Sequence, residues 1–408
     1  MVAGEVWACP SPRALARLAG TLLPTDSARR GNVEGEALAA VISRLQGLPS
    51  DRLWASAVHA VVEALLRAGA DPRTAGRGGV TPLHRAAYAC ATDVARLLLS
   101  YGADAGVPDT TGVTPLMVAA ARGCVSMVHL LWEGQESSAP CGWGRLHRAA
   151  ALDSAELVGE ARRAGSSPHE TDALGYTPLH IASALAAHAA VEALLRVRAD
   201  PITRAVTTGE TPAHLAARAG RSLVLTRLGE AAPKARRMRD GARQTIAHTA
   251  ALHGEAECLA WALAARRVTD TMDDFGATPL HRAATSFCPE AVRVLVRHGC
   301  NTNLAGAMGH TALHSASEAG CAACAQELIQ SGADLDPELG ISLMTPLHMA
   351  ALYGHASVAR VLLAAGASGR GREGCADRPS ALAAAAGYHR LAAWLDEGHV
   401  PENAEDWE

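Results

Sequence analysis

A four-residue motif that returns about every 33 residues constrains the fold of this 408-residue chain more than any other feature. The motif is TPLH at Thr81, and successive copies are separated by 30 to 34 residues. The copies begin at Thr81, Thr114, Gly144, Thr177, Thr211, Thr245, Thr278, Thr311, Thr345 and Arg378. A fixed period of this length predicts a stack of small units that bury their apolar faces on one another.

The residues between two copies predict a pair of short helices. Thr81 is a suitable N-cap, and Pro82 suits the first helical position because no amide donor is needed there. Val94 and Leu98 lie on one helix face, and Gly102 supplies a left-handed C-cap. Neither helix is long enough to be stable by itself, so each must pack on neighbouring units.

The segments TPLHRAA at 81–87 and GAD at 102–104 resemble the ankyrin repeat. The resemblance covers about residues 48–398 and implies an all-α solenoid of about 10–11 helix-turn-helix units with short β-hairpin fingers. Residues 1–47 are predicted to form an N-terminal helical cap, and residues 399–408 an acidic C-terminal tail.

Histidine recurs at the fourth position of the motif, which raises the question of a metal site. The eight histidines are His84, His147, His180, His214, His248, His281, His314 and His348. Equivalent atoms of stacked repeats lie about 8–10 Å apart, whereas zinc needs nitrogens each about 2.0–2.1 Å from the ion. We therefore predict no metal, and expect each ring to hydrogen-bond backbone between adjacent repeats, as the ankyrin resemblance also implies.

Motifs for catalysis are missing from the sequence. There is no GxSxG, GxxxxGK[ST] or HExxH segment, so we predict a non-enzymatic protein with no cofactor and no small-molecule substrate. The CAAC segment at Cys321–Cys324 has no second CxxC at zinc-finger spacing, which favours ordinary core or turn thiols over a reactive pair.

Charge and hydropathy limit the partners and the location. The formal net charge of −4 disfavours nucleic acid as a partner. No stretch approaches the about 20 apolar residues of a membrane span, and Arg13 and Arg17 interrupt any signal-peptide core. We predict a cytoplasmic protein whose ten cysteines are free thiols. The basic segment 233–239 offers nuclear import as an alternative.

The ankyrin resemblance implies that the fingers and the outer sides of the first helices line a concave surface that binds another protein. The first-helix positions include Tyr88, Arg122, Leu185, Arg218 and Tyr353, and the finger positions include Tyr176, Phe275, Met308 and Met344. Exposed apolar residues at these places indicate an interaction site. The alternative is that they pack finger against finger or against the cap.

A basic segment at 215–243 is a second candidate surface. It carries eight basic residues against Glu230 and Asp240, and its candidate binding residues are Arg218, Arg221, Arg236, Arg237 and Arg239. Such a patch suits an anion, a phosphopeptide or, less well, a nucleic acid. The alternative is a solvated basic loop.

Two irregularities interrupt the repeat. The interval from Thr114 to Gly144 is only 30 residues, which predicts a missing finger and a notch around 133–143. Arg198 and Arg266 stand where the C-cap glycine belongs, so their repeats should be the weaker ones.

The function that these features favour is a protein-interaction scaffold or adaptor. One alternative is the substrate-recognition adaptor of a ubiquitin ligase, or a regulatory subunit of an enzyme. Such an adaptor needs a helical box of about forty residues after the last repeat. Since only about ten residues follow Gly398, we expect the simple scaffold.

Overall fold

The computed structural model describes residues 52–132, 143–264, 268–340, 342–368 and 378–397. The predicted N-terminal cap, the acidic tail and Arg266 lie outside these ranges. The described residues form 21 α-helices, of which all but the first are arranged in pairs. The chain divides into two compact parts, Met1–Thr207 and Thr208–Glu408.

The helices follow the period of the motif, with a short first helix and a longer second helix in most repeats. In the N-terminal part they are α1 (Arg52–Arg67), then the pairs α2 (Pro82–Tyr88) and α3 (Thr92–Ser100), α4 (Pro115–Ala121) and α5 (Val125–Trp132), α6 (Arg145–Ala151) and α7 (Ala155–Arg163), and α8 (Pro178–Leu185) and α9 (His188–Arg196).

Six further pairs make up the described residues of the C-terminal part. They are α10 (Pro212–Arg218) and α11 (Ser222–Ala231), α12 (Ile246–Leu252) and α13 (Ala256–Leu263), α14 (Pro279–Thr285) and α15 (Pro289–Arg297), α16 (Ala312–Ala319) and α17 (Ala322–Gln330), α18 (Pro346–Leu352) and α19 (Ala356–Ala364), and α20 (Pro379–Ala385) and α21 (His389–Glu397). Three short 3₁₀ turns, Arg77–Gly79, Pro233–Arg237 and Ala307–Gly309, lie between pairs.

Each first helix begins as the motif predicts. Thr81 is extended, its hydroxyl accepts a hydrogen bond from the His84 amide, and Pro82 is the first helical residue. The His84 ring returns the bond by accepting from the Thr81 amide, 3.2 Å from Nδ1. Two of the amides that a helix start leaves unpaired are thereby satisfied.

Small residues let the helices approach closely. Ala86 and Ala87 of α2 are fully buried, and so is Leu98 of α3. Consecutive first helices pack on each other, for example α2 on α4 and α14 on α16. The core is therefore a continuous layer of alanine, leucine and valine within each part, and no repeat has a core of its own.

The fingers between repeats are tight hairpin turns closed by the main chain. The Asp109 amide donates to the Val113 carbonyl over 2.8 Å, and the Asp273 amide donates to the Ala277 carbonyl over 3.0 Å. Isolated antiparallel bridges join Arg239 to Thr245 and Leu339 to Met344, but the described residues contain no regular strand.

The stack is irregular at the third repeat, where the sequence is three residues short. A methyl group placed on Gly112 would lie 3.7 Å from the Cβ of Ala173, so the fingers on either side of the gap lie next to each other. Helix α8 packs on both α6 and α4. Helix α3 packs on α5 and α7 packs on α9, whereas α5 and α7 have no comparable contact. The notch predicted around 133–143 lies outside the described residues except for Trp143.

Arg198 adopts the left-handed conformation predicted for it, with φ of 63°. Since this conformation costs a residue with a Cβ about 1–2 kcal/mol and glycine adopts it readily, we expect Arg198→Gly to raise the free energy of unfolding by about 0.5–1 kcal/mol. Urea denaturation of the full chain measures the change.

Arg196 provides the matched control, because it ends α9 in an ordinary helical position and its side chain is also exposed. Arg196→Gly should lower the free energy of unfolding by about 1 kcal/mol. A decrease for Arg198→Gly as well would contradict the assignment of strain to Arg198.

Candidate functional site

The motif histidines connect neighbouring repeats. The Nε2 of His84 lies 2.9 Å from the Val113 carbonyl oxygen in the following finger, and the Nε2 of His248 lies 3.0 Å from the Ala277 carbonyl oxygen. A backbone amide can only donate, so Nδ1 is the acceptor and Nε2 carries the proton. This is the backbone-linking role expected from the sequence. The described residues contain no cluster of three or more His, Cys, Asp or Glu side chains that could hold a metal ion.

Burial changes the basicity of these rings. It lowers the pKa of His248 and of His314 to about 4, and it also lowers the pKa of His84, His147 and His281. The rings are therefore neutral near pH 7. A neutral ring that already uses both nitrogens in hydrogen bonds is a structural element and not a general acid or base.

The cysteines of the described residues include two close pairs. Cys90 lies beside Cys124 and Cys321 lies beside Cys324, with Cα atoms 5.8 and 5.3 Å apart. That these four residues are free thiols stays a prediction. Cys90 and Cys124 meet because the turns between paired helices lie next to each other in neighbouring repeats. Cys321 and Cys324 meet across one helical turn.

Of the other cysteines within the described ranges, Cys258, Cys288 and Cys300 are free thiols. Burial raises the pKa of Cys258 and of Cys300 to about 12. Since the thiolate is the reactive form, these two thiols are poor nucleophiles near neutral pH.

Two apolar side chains stand at the tips of consecutive fingers. Phe275 is 68% exposed and Met308 is 87% exposed. The two fingers touch, because a methyl group on Gly276 would lie 2.7 Å from the amide nitrogen of Ala307. We call Phe275 and Met308 the finger-tip pair. The Arg282 guanidinium lies 5.7 Å from the Phe275 ring centre, which adds a cation beside the ring.

Met344 is half-buried, and its main chain helps to close its own finger. Its carbonyl oxygen accepts hydrogen bonds from His314 Nε2 and from the Leu339 amide. The register in the repeat separates Met344 from Met308. Met344 directly precedes Thr345, whereas Met308 lies three residues before Thr311.

The prediction of exposure is wrong for Tyr176 and Leu185, which are 3% and 6% exposed. Tyr176 directly precedes the motif threonine and forms the base of its finger, where its carbonyl oxygen accepts from His147 and its ring packs on His180. Leu185 is the last residue of α8, which is one residue longer than the usual seven and is followed by Ala186 in the left-handed conformation.

The remaining first-helix candidates are at least partly accessible. Tyr88 is 46% exposed, and the Arg122 guanidinium lies 4.8 Å above its ring. Tyr353 is half-buried, with its ring stacked near His355. Burial and the nearby Glu318 carboxylate raise the pKa of Tyr353.

Most arginines of the basic segment have partners inside the protein. Arg218 forms a salt bridge with Glu210 at the foot of the same repeat, and the Arg236 guanidinium lies 4.6 Å from the Trp261 ring centre. Arg221 and Arg239 are half-buried, whereas Arg237 is exposed. The patch is consequently less available to an anion than its sequence indicates.

A groove on the third repeat was not anticipated from the sequence. It has a volume of about 310 Å³ and lies on α6 and α7. Its lining residues are Arg145, Arg148, Ala149, Leu152, Leu157, Glu160 and Ala161. The short interval before Gly144 is the one sequence signal that marks this place.

None of the helices in the described residues combines the length and the apolar character that crossing a bilayer demands.

Comparison with known proteins agrees with the repeat geometry. The family model described as Ankyrin repeats (3 copies) matches residues 53–139, 146–239, 225–306, 247–338 and 298–370. Among curated proteins, Ankyrin repeat and SOCS box protein 16 of Homo sapiens is 28% identical over 232 residues, which is 54% of this chain and 49% of that protein. NF-kappa-B inhibitor alpha of Homo sapiens is 34% identical over 105 residues, which is 24% of this chain and 32% of that protein.

Among solved structures, the ankyrin repeat domain of Bcl-3, a member of the IkappaB protein family, is 28% identical with a TM-score of 0.43. The match covers 51% of this chain and 93% of that domain. The chain spans about half the length of the SOCS box protein and about a third of the NF-kappa-B inhibitor.

Proposed function

Because this chain belongs to the ankyrin-repeat family, we propose that it is a non-enzymatic scaffold that binds another protein through its fingers and first helices. Proteins built from ankyrin repeats are interaction scaffolds. The buried side chains of the motif are used in capping and packing, which leaves the finger tips and the outer sides of the helices as the surfaces that a partner can contact.

The finger-tip pair is the observation that supports this proposal most strongly. Phe275 and Met308 occupy the same position in two touching fingers, and both expose more than half of their surface. Neither side chain holds the fold together, since each finger is closed by main-chain bonds such as that from Gly306 to His310, 2.7 Å long. Large apolar side chains in such a place indicate an interaction site, and methionine suits adaptable contacts.

We expect the double variant Phe275→Asp, Met308→Asp to lose capture of the partner while keeping its helicity and melting temperature. Loss of a pair of central contacts should cost at least about 2 kcal/mol of binding, or roughly thirtyfold in affinity. Affinity capture from native cells, followed by titration with the captured protein, measures this loss.

Leu223→Asp is the matched control, because Leu223 is an apolar side chain that is 69% exposed on α11. It should bind the partner as the unmodified protein does. Unchanged capture by the double variant, or a fall in its melting temperature like that of a core variant, would refute the finger-tip pair as an interface.

The similarity to Ankyrin repeat and SOCS box protein 16 favours a second candidate, the substrate-recognition adaptor of a ubiquitin ligase. In that case a ubiquitin-ligase subunit should co-purify with the full chain, and it should remain bound to the finger-tip double variant. Co-purification of another catalytic subunit would instead support regulation of an enzyme.

Binding of an anion or phosphopeptide through residues 218–243 is a weaker alternative, since Arg218 and Arg236 already contact Glu210 and Trp261. Binding through this segment would weaken with salt and with Arg237→Gln, whereas binding through the finger-tip pair would not.

A further inference from the structure

The third repeat exposes positions that are buried in the other repeats. Leu157 of α7 is 38% exposed. The residues at the same place in the other second helices are all buried, and they are Val94, Met127, Ala190, Val224, Cys258, Ala291, Cys324, Val358 and Leu391. This face of α7 is therefore built to be covered, but nothing in the described part of the chain covers it.

The first helix of this repeat, α6, also exposes a position that is buried elsewhere. Arg145 is exposed at the first helical position of α6. Its equivalents are buried in the nine other repeats, and they are Pro82, Pro115, Pro178, Pro212, Ile246, Pro279, Ala312, Pro346 and Pro379. Replacement of a buried apolar residue by arginine fits a face that meets a charged group in place of an ordinary neighbouring repeat.

The groove on this face has an apolar floor and a basic rim. Ala149, Leu152 and Leu157 contribute to the floor, and Leu152 is also 38% exposed. Arg145 and Arg148 form no ion pair or hydrogen bond with the residues that the structure describes, although the Arg148 guanidinium lies 5.3 Å from the Trp132 ring centre. Glu160 is the one acidic residue of the lining, so the rim carries an excess of positive charge.

We propose that this groove binds an amphipathic helix of another protein, with an aliphatic side chain on Leu152 and Leu157 and a carboxylate beside Arg145. The shape favours a helix, because helices cover the equivalent face in neighbouring repeats and apolar grooves of this kind take amphipathic helices. The charge favours a carboxylate, because Arg145 and Arg148 flank the floor and form no ion pair with any carboxylate of the described residues. The groove lies on α6 and α7, whereas the finger-tip pair lies more than a hundred residues further along the chain.

The probe is a fluorescent helical peptide with leucines along one face and flanking glutamates, compared with the same peptide carrying lysines instead. Fluorescence anisotropy with the full-length protein should show tighter binding of the glutamate peptide. We expect Leu157→Asp to weaken that binding by at least about tenfold, and Arg145→Glu to reverse the preference towards the lysine peptide. Both side chains are exposed, so neither change should lower the melting temperature.

Leu223→Asp on α11 and the finger-tip double variant should bind the glutamate peptide normally, which separates this groove from the proposed function. Equal affinity for the two peptides, or equal weakening by Leu157→Asp and Leu223→Asp, would overturn the proposal. The proposal would also be overturned if the unmodified protein self-associates and Leu157→Asp alone makes it monomeric. A second copy of the chain would then occupy the groove.

Discussion

Acidification from pH 7 towards pH 4 is expected to unfold this protein. The pKa of His248 and of His314 is about 4 in the folded chain, against 6.5 for an ordinary histidine. Between pH 6.5 and pH 4 these histidines bind protons in the unfolded chain but remain neutral in the folded chain. The free energy of unfolding therefore falls as the pH falls. The contribution of these rings to stability is complete above pH 6.5 and lost by about pH 4.

The size of the effect follows from the shift in pKa. One pKa unit corresponds to about 1.4 kcal/mol, so His248 and His314 each lower the free energy of unfolding by roughly 3 kcal/mol at pH 4. Burial lowers the pKa of His84, His147 and His281 in the same direction. Since a typical domain is stable by only about 5–15 kcal/mol, the sum is enough to unfold the stack.

The structure also gives the reason at the level of atoms. The Nδ1 of His248 accepts a hydrogen bond from the Thr245 amide over 3.1 Å. A proton on Nδ1 turns that acceptor into a donor, which opposes the amide and breaks the helix cap. The midpoint of urea denaturation, measured at pH 7, 6, 5 and 4.5, should therefore fall steeply below pH 6.5.

The second repeat provides the control for this prediction. Met117 occupies the histidine position there and is fully buried. His248→Met, which introduces the same residue, should lower the free energy of unfolding at pH 7 because the bond to the Ala277 carbonyl is lost. It should also make the free energy of unfolding less dependent on pH, because unfolding would take up about one proton fewer. A midpoint that stays constant from pH 7 to pH 5, or an unchanged slope for His248→Met, would show that the rings do not control acid stability.

Gly209→Ala should be among the most damaging single substitutions in the chain. Gly209 has φ of 68°, and a Cβ there would lie 2.5 Å from the Gly241 amide nitrogen and 2.9 Å from the Gly241 Cα. Backbone atoms cannot rotate out of the way, so the two fingers must separate. The Gly241 amide would then lose its 2.8 Å bond to the Thr208 carbonyl. We expect a loss of about 3 kcal/mol or more in the free energy of unfolding.

Gly299→Ala is the matched control, since Gly299 has a similar φ of 76° but no atom within 4 Å of the added methyl group. Gly299→Ala should lower the free energy of unfolding by only about 1 kcal/mol, because a residue with a Cβ is strained in the left-handed conformation. The difference between the two variants in urea denaturation measures the close contact of neighbouring fingers. Equal losses would mean that backbone conformation alone explains the requirement for glycine.

The parts of the structure that repeat could be predicted from the sequence, because each is local and occurs many times. The cap at Thr81, the role of His84 and the left-handed Arg198 all depend on a few neighbouring residues in a known register. Ten copies of the motif confirm one another in a way that a single motif does not.

The parts that depend on one place in the stack could not be predicted. Tyr176 and Leu185 lie at the base of one finger and at the end of one helix, where local packing and not sequence position decides that both are buried. The availability of Arg218 depends on Glu210, which lies eight residues earlier and would have been placed in solvent by its charge. The groove at Leu157 follows an interval that is three residues shorter than the usual repeat, and a short interval does not say which side chains it leaves exposed.

Closure of the fingers by main-chain bonds has a consequence for how such a protein can change. The turn at Asp273 forms whether or not an aromatic residue follows two positions later, since the Asp273 carboxylate accepts from the Phe275 and Ala277 amides. The exposed side chain at the tip can therefore change without a penalty in folding. Lineages that share this architecture are free to vary their exposed surface one tip at a time.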